Sequence, residues 1–248
     1  MIQKKNEIVS YLINEGSHLL LEVKKPILSE EDEINDFLTD IENYPHIYVL
    51  FCLSQRFSRA GPSSKTPYLL SREIGGADFP QLLKMSEKDF IEVFNINKIH
   101  RFPNKMANTY FKAIQRIHNT YQDDASKIWE GNPRSATIVK RFLGFDGASI
   151  KIATMAANIL AREFKIKMRD HICIDISVDT HTRRVFKRLG LVSINANDYE
   201  IIYTARELNP KYPGIFDLPC WNIGRECCKA KNPICNRCKL EINCPKIL

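Results

Sequence analysis

Apolar side chains recur at helical spacing along most of the chain. Ile8, Leu12, Leu19, Leu20 and Val23 line one face over residues 8–23, and Ile34, Phe37, Leu38 and Ile41 another over 30–41. Pro45 then opens the dense apolar run 46–55, which predicts a buried helix. Gly61-Pro62-Ser63-Ser64 marks a loop, and further helices are expected over 65–74, 86–95, 103–121, 133–143, 150–164, 180–189 and 195–207. Residues 164–168 alternate apolar and basic, the pattern of a short strand or an extended loop. Pro210, Pro213 and Pro219 break up the approach to a cysteine-rich end. The pattern is all-α, without internal repeats or low-complexity tracts.

Composition narrows the classes. At 248 residues, with 44% hydrophobic and 26% charged side chains, the chain has an ordinary globular make-up, which excludes a disordered or collagen-like one. No apolar run approaches the ~20 residues of a membrane span. The start, Met1-Ile2-Gln3-Lys4-Lys5, has no apolar block behind it, so secretion is not expected and a cytoplasmic location is. Charge is uneven: residues 1–100 hold 11 basic and 15 acidic side chains, residues 101–248 the other 25 and 14. A basic C-terminal portion points to a polyanion, nucleic acid above all, or else to a basic solvated surface with no partner.

Six of the eight cysteines, Cys220, Cys227, Cys228, Cys235, Cys238 and Cys244, crowd the last 29 residues. In a cytosolic chain such a cluster points to metal ligation rather than disulfides. Cys228, Cys235, Cys238 and Cys244 read C-x6-C-x2-C-x5-C, four thiolates able to wrap one compact centre. Zinc and a [4Fe–4S] cluster both accept four thiolates. The spacing resembles the iron–sulfur loop of the endonuclease III family of DNA glycosylases, in the helix-hairpin-helix superfamily. The resemblance implies a structural [4Fe–4S] cluster, with a first loop, here Lys229 to Ile234, whose Lys229 and Lys231 meet DNA phosphates. Cys220 and Cys227 fall outside the pattern, although Cys227 replaces Cys228 if the frame slips by one.

Two further segments carry the resemblance. Phe145-Asp146-Gly147-Ala148-Ser149-Ile150-Lys151 is similar to the family's hairpin, a Gly-hydrophobic-Gly turn followed by a helix, with Ser149 in place of the second glycine. Such a turn offers backbone N–H groups to a phosphate, so Gly147, Ala148 and Ser149 are implied DNA contacts. In that frame Lys151 stands where bifunctional members carry a nucleophilic lysine, which a helix start and partial desolvation make available. A rival frame uses Leu143-Gly144-Phe145 as the turn and leaves Lys151 without the role. Val178-Asp179-Thr180-His181-Thr182-Arg183-Arg184-Val185 to Gly190 resembles the family's Val-Asp-Thr-His signature nearly residue for residue. Asp179 is an N-cap by residue type, and Arg183, Arg184, Lys187 and Arg188 suit a solvated helix face. The resemblance makes Asp179 catalytic as well, a carboxylate that stabilises cationic charge on the sugar as the base departs.

Upstream, Cys52-Leu53-Ser54-Gln55 resembles the segment whose glutamine fills the hole left by a flipped base, and Arg101 and Phe102 occupy the wedge loop beside it. The stretch between Lys151 and Asp179 is longer than usual for the family, and residues 1–45 are unaccounted for. The resemblance implies a two-lobed glycosylase fold: a barrel lobe of 46–163, and a terminal lobe of 1–45 and 164–248 with the [4Fe–4S] loop. The function expected is base-excision repair of duplex DNA with a damaged or mispaired base, oxidised pyrimidines first, with an AP lyase step, by a nucleoid-associated monomer. A monofunctional glycosylase with an Asp179-activated water and a non-catalytic iron–sulfur DNA-binding protein are the alternatives.

Overall fold

The computed structural model describes residues 2–22, 24–56 and 64–247, the Ile2 side chain excepted, so Val23 and the loop at Gly61-Pro62-Ser63 lie outside the described residues. The described residues are mostly helical, and no β-strand occurs among them. In order the helices are α1 (Ile2–Leu21), α2 (Asp32–Thr39), α3 (Pro45–Ser54), α4 (Thr66–Ile74), α5 (Phe79–Lys84) and α6 (Glu87–Ile96). There follow α7 (Pro103–Tyr121), α8 (Ser135–Leu143), α9 (Ile150–Arg162), α10 (Thr180–Arg188), α11 (Asp198–Leu208) and α12 (Asp217–Glu226). Single 3₁₀ turns stand at Ala125–Ile128, Pro213–Phe216 and Cys235–Arg237.

Two of these helices escape the periodicity. Helix α5 is only six residues, too short to show a period, and has Pro80 in its first turn. Helix α12 contains Pro219 in its first turn, where the missing N–H has no intrahelical partner to lose. Residues 164–168 form an extended loop that turns at Lys165, whose φ is +53. Helix starts follow residue chemistry. Ser86 with Asp89 and Asn197 with Glu200 form reciprocal capping boxes at α6 and α11.

The chain divides into two compact units. One comprises 25–133 and 140–156, the other 1–24, 134–139 and 157–248. Residues 25–45 thus group with the barrel helices rather than with the terminal lobe. The side chains give the reason: Tyr68 Oη donates to Glu33 at 2.6 Å, Lys65 pairs with Glu31, and the Phe37 ring meets Tyr68 edge-on at 5.7 Å.

In the first of these units α3 is the central element, with His46 to Ser54 all buried. Tyr48 is fully enclosed, meets Trp129 and Phe142 edge-on at 5.7 and 6.2 Å, and donates its hydroxyl to the Ala156 carbonyl at 2.7 Å. In the second unit α1 packs against the 3₁₀ turn Pro213–Phe216 and α12. Gly16 makes that approach feasible, because a Cβ there would fall far inside van der Waals contact with the Ile215 carbonyl. Gly16→Ala should therefore destabilise the protein by about 1–3 kcal/mol despite alanine's better helix propensity, seen as a lower midpoint in thermal denaturation.

Candidate functional site

Helix α9 begins at a turn built on Gly147. Gly147 carries the left-handed conformation, φ +91, and the Ala148 amide donates to the Phe145 carbonyl at 3.0 Å. A tight turn with a left-handed third residue is the type II pattern, which demands glycine there. A side chain at Gly147 would also press on Arg56 Nη1 at 3.0 Å and Thr109 Cγ2 at 3.2 Å. Ser149 needs no glycine. Its hydroxyl accepts from the Ile152 amide at 3.4 Å and its carbonyl from Ala153 at 2.9 Å, so it serves as an N-cap. Because the Ala148 amide closes the turn, the outward donors are those of the first helical turn, beside exposed Ser149 and Ile150. Lys151 lies in that turn, half-buried.

Asp179 stands at the head of α10. Its Oδ1 accepts from the amides of His181 and Thr182 at 2.9 and 2.7 Å. The segment leading to it, 174–178, is buried along its whole length and is held by side chains from elsewhere in the unit. Arg206 reaches both oxygens of Asp175, each at 2.7 Å. Asn158 Nδ2 donates to the Asp175 carbonyl at 3.1 Å and its Oδ1 accepts from the Tyr212 hydroxyl at 2.7 Å. The Gly214 amide donates to the Ile174 carbonyl at 2.8 Å, and Asp217 accepts from the Ser177 amide at 3.1 Å.

The basic residues of α10 are not simply solvated. Arg183 forms a two-pronged pair with Asp198 at 2.7 and 2.8 Å. Arg184 donates to the carbonyls of Cys228 and Gly224. Arg188 donates to the carbonyls of Lys229 and Ala230 at 2.6 and 3.2 Å and approaches Cys228 Sγ at 3.6 Å. One helix therefore carries Asp179 at its start and grips the cysteine loop from one side.

In that loop Cys227, Cys228, Cys235, Cys238 and Cys244 are half-buried. Burial pushes the Cys238 thiol up, and Cys227, Cys244 and Cys228 push it further; burial also raises Cys244, assisted by Cys228 and Cys235. The sulfurs thus share one neighbourhood. Donors already face them: the Lys246 amide lies 3.4 Å from Cys244 Sγ, and the Leu240 amide meets Cys238. Among the described residues no three His, Cys, Asp or Glu side chains converge as a single metal ion requires. Lys229 and Lys231 are exposed on the loop between Cys228 and Cys235.

In the other unit Gln55 ends α3, half-buried, its Nε2 3.4 Å from the Phe51 carbonyl. Its neighbour Arg56 is one of the two residues against Gly147, so the end of α3 and the hairpin adjoin. Arg101 is exposed, with its guanidinium 5.2 Å from the centre of the Phe102 ring.

Comparison with solved structures finds the same architecture. A trapped endonuclease III–DNA covalent intermediate superposes over 98% of this chain and 96% of that one, with a TM-score of 0.65 and 17% identity. A thermostable thymine-DNA glycosylase matches over 98% and 96%, at 0.63 and 16%. The 8-oxoguanine glycosylase/lyase of Clostridium acetobutylicum matches over 90% and 69%, at 0.56 and 16%. The fold is that of endonuclease III. No family model matches the chain, and no curated protein is similar to it in sequence.

Within the endonuclease III fold, Lys151, Gly147, Ser149, Gln55 and Arg101 belong to one unit, and Asp179 with the cysteines, Lys229 and Lys231 to the other. Asn158, Arg206 and Asp217, which hold the segment before Asp179, were not singled out by sequence, because their partners lie 17 to 40 residues away. The four-residue spacing of Arg184 and Arg188 was a readable signal that both face one target. The cap at Asp179 is tested by substitution. Asp179→Ala should cost about 1 kcal/mol in a denaturant titration, whereas Asp179→Asn, an equally good cap, should stay within about 0.5 kcal/mol of the parent.

Proposed function

We propose that this protein is a base-excision DNA glycosylase with an associated AP lyase step, acting on duplex DNA with a damaged or mispaired base, oxidised pyrimidines first. The observation that carries the reading is the left-handed φ of Gly147. It favours the turn that leaves Lys151 in the first turn of α9, and disfavours the frame built on Gly144. Further support comes from the endonuclease III fold and from a carboxylate fixed at the start of α10. The proteins that share the fold include one trapped covalently on DNA and a glycosylase/lyase with double-stranded DNA.

The chemistry follows from those groups. Amides of the first turn of α9, with the helix dipole, hold a DNA phosphate, and Lys229 and Lys231 add phosphate contacts. A base is flipped out of the stack, with Gln55 filling the vacancy and the Arg101–Phe102 loop wedged beside it. The free amine of Lys151 attacks C1′ of the sugar, and the C1′–N bond electrons leave with the base, which takes up a proton. Asp179 stabilises the cationic sugar as that bond breaks. The lysine adduct opens to an iminium ion. Loss of a C2′ proton then expels the 3′ phosphate and nicks the strand.

Cys228, Cys235, Cys238 and Cys244 fit a [4Fe–4S] cluster. Supporting it are sulfurs that feel one another's charge and the N–H and guanidinium donors facing three of them, which suit thiolates. One tetrahedral zinc ion needs sulfurs within roughly 4 Å of each other. A cluster bound there would stiffen the loop that bears Lys229 and Lys231.

Borohydride reduction in the presence of duplexes carrying thymine glycol, uracil, mispaired thymine, 8-oxoguanine or an abasic site tests the first reading. A covalent protein–DNA complex is expected, lost in Lys151→Gln. Base release without trapping would mean an Asp179-activated water instead, and neither signal would leave a DNA-binding protein. For the centre, the purified protein should carry iron, acid-labile sulfide and broad visible absorbance, all abolished by Cys235→Ala; stoichiometric zinc without colour would overturn it. Cys227→Ala should retain the colour that Cys228→Ala loses.

A further inference from the structure

His100 has no part in the chemistry above, yet it is buried to 6% exposure directly before Arg101 and Phe102. Its Nδ1 accepts the Phe102 amide at 3.1 Å. Burial lowers its affinity for a proton, while the backbones of Phe102 and Ser54 raise it in part. Its other edge lies against the backbone of Ser54, the last residue of α3 and the one before Gln55, and Nε2 makes no hydrogen bond of good geometry there. From the same helix that follows Phe102, Tyr110 directs a fully buried hydroxyl at the Ser54 side chain. Two buried polar side chains, one before α7 and one within it, thus meet at the last residue of α3.

The junction joins two outward-facing elements. Phe102 has φ −121 and ψ 74, off the regular regions and away from the extended ψ favoured before a proline. No side chain caps the start of α7 there. The Phe102 ring is 37% exposed, with the Arg101 guanidinium at 5.2 Å and the Lys105 ammonium at 6.0 Å from its centre. An aromatic ring carrying two cations beside phosphate-bearing DNA suits insertion between bases.

We propose that His100 is a positioning residue that latches the Arg101–Phe102 turn to the end of α3, so that Phe102 and Gln55 enter a duplex as one rigid unit. The proposal rests on the glycosylase reading for its substrate, but its test does not depend on catalysis. Asparagine at position 100 can present Oδ1 where Nδ1 now accepts; leucine fills the space and accepts nothing.

The full chain and its His100→Leu and His100→Asn variants are titrated into a duplex with an abasic site opposite 2-aminopurine, whose fluorescence rises when a side chain unstacks it. The parent is expected to raise the fluorescence. His100→Leu should lose most of the rise and weaken duplex over single-strand preference about tenfold, and His100→Asn should restore both. A leucine variant that behaves as the parent, an asparagine variant no better than leucine, or a parent that leaves the fluorophore unchanged would each overturn the proposal. Trapping on a single-stranded abasic oligonucleotide is read alongside. If the parent unstacks the fluorophore but is never trapped, the lyase reading falls and the latch stands. If it is trapped but the leucine variant unstacks normally, the latch falls and the lyase reading stands.

Discussion

Residues 174–178 run as buried chain with no strand beside them among the described residues, and the position of Asp179 depends on how their backbone is satisfied. An amide or carbonyl buried without a partner costs about as much as a lost hydrogen bond. Here the partners are side chains and one amide: Asn158, Asp217 and Gly214 take up three backbone groups, and Arg206 neutralises the Asp175 carboxylate, only 4% exposed, with two bonds. Removing one partner of such a buried pair leaves an uncompensated charge, the costly half of the arrangement. The cap at Asp179 is the last link of that chain of satisfied groups.

The two units place Lys151 and Asp179 in different ways. The hairpin before Lys151 is a local device, made from one left-handed glycine, one serine cap and a four-residue turn. Asp179 is placed by long-range contacts at its approach, and by arginines that fasten its helix to the cysteine loop.

That contrast accounts for what the sequence disclosed. The all-α class, the buried helix 45–54, the turn at Gly147 and the cap at Asp179 were legible, since each is written in residues a few positions apart. Short α5 and proline-bearing α12 were hidden, one lacking a period and the other resembling a breaker. The grouping of 25–45 with the barrel helices rests on contacts such as Glu33 with Tyr68, whose pairing no periodicity encodes. The same holds for Asn158 and Arg206. Arg184 and Arg188, suited by type to water, proved to be ties, because a charge pattern records which face a side chain occupies and not what meets it.

The partners of 174–178 also fix an order of events during synthesis. Asn158 precedes the segment, but Arg206, Gly214 and Asp217 follow it by up to 40 residues. A nascent chain that has reached Leu191 already contains Lys151 and Asp179, yet it lacks the groups that bury the approach to the aspartate. Contacts so distant in sequence form late, after the local helices. The sequence that bears Lys151 and Asp179 is therefore complete on paper well before its arrangement exists in space, and a ribosome-bound chain can present a finished hairpin while the Asp179 carboxylate is still unplaced.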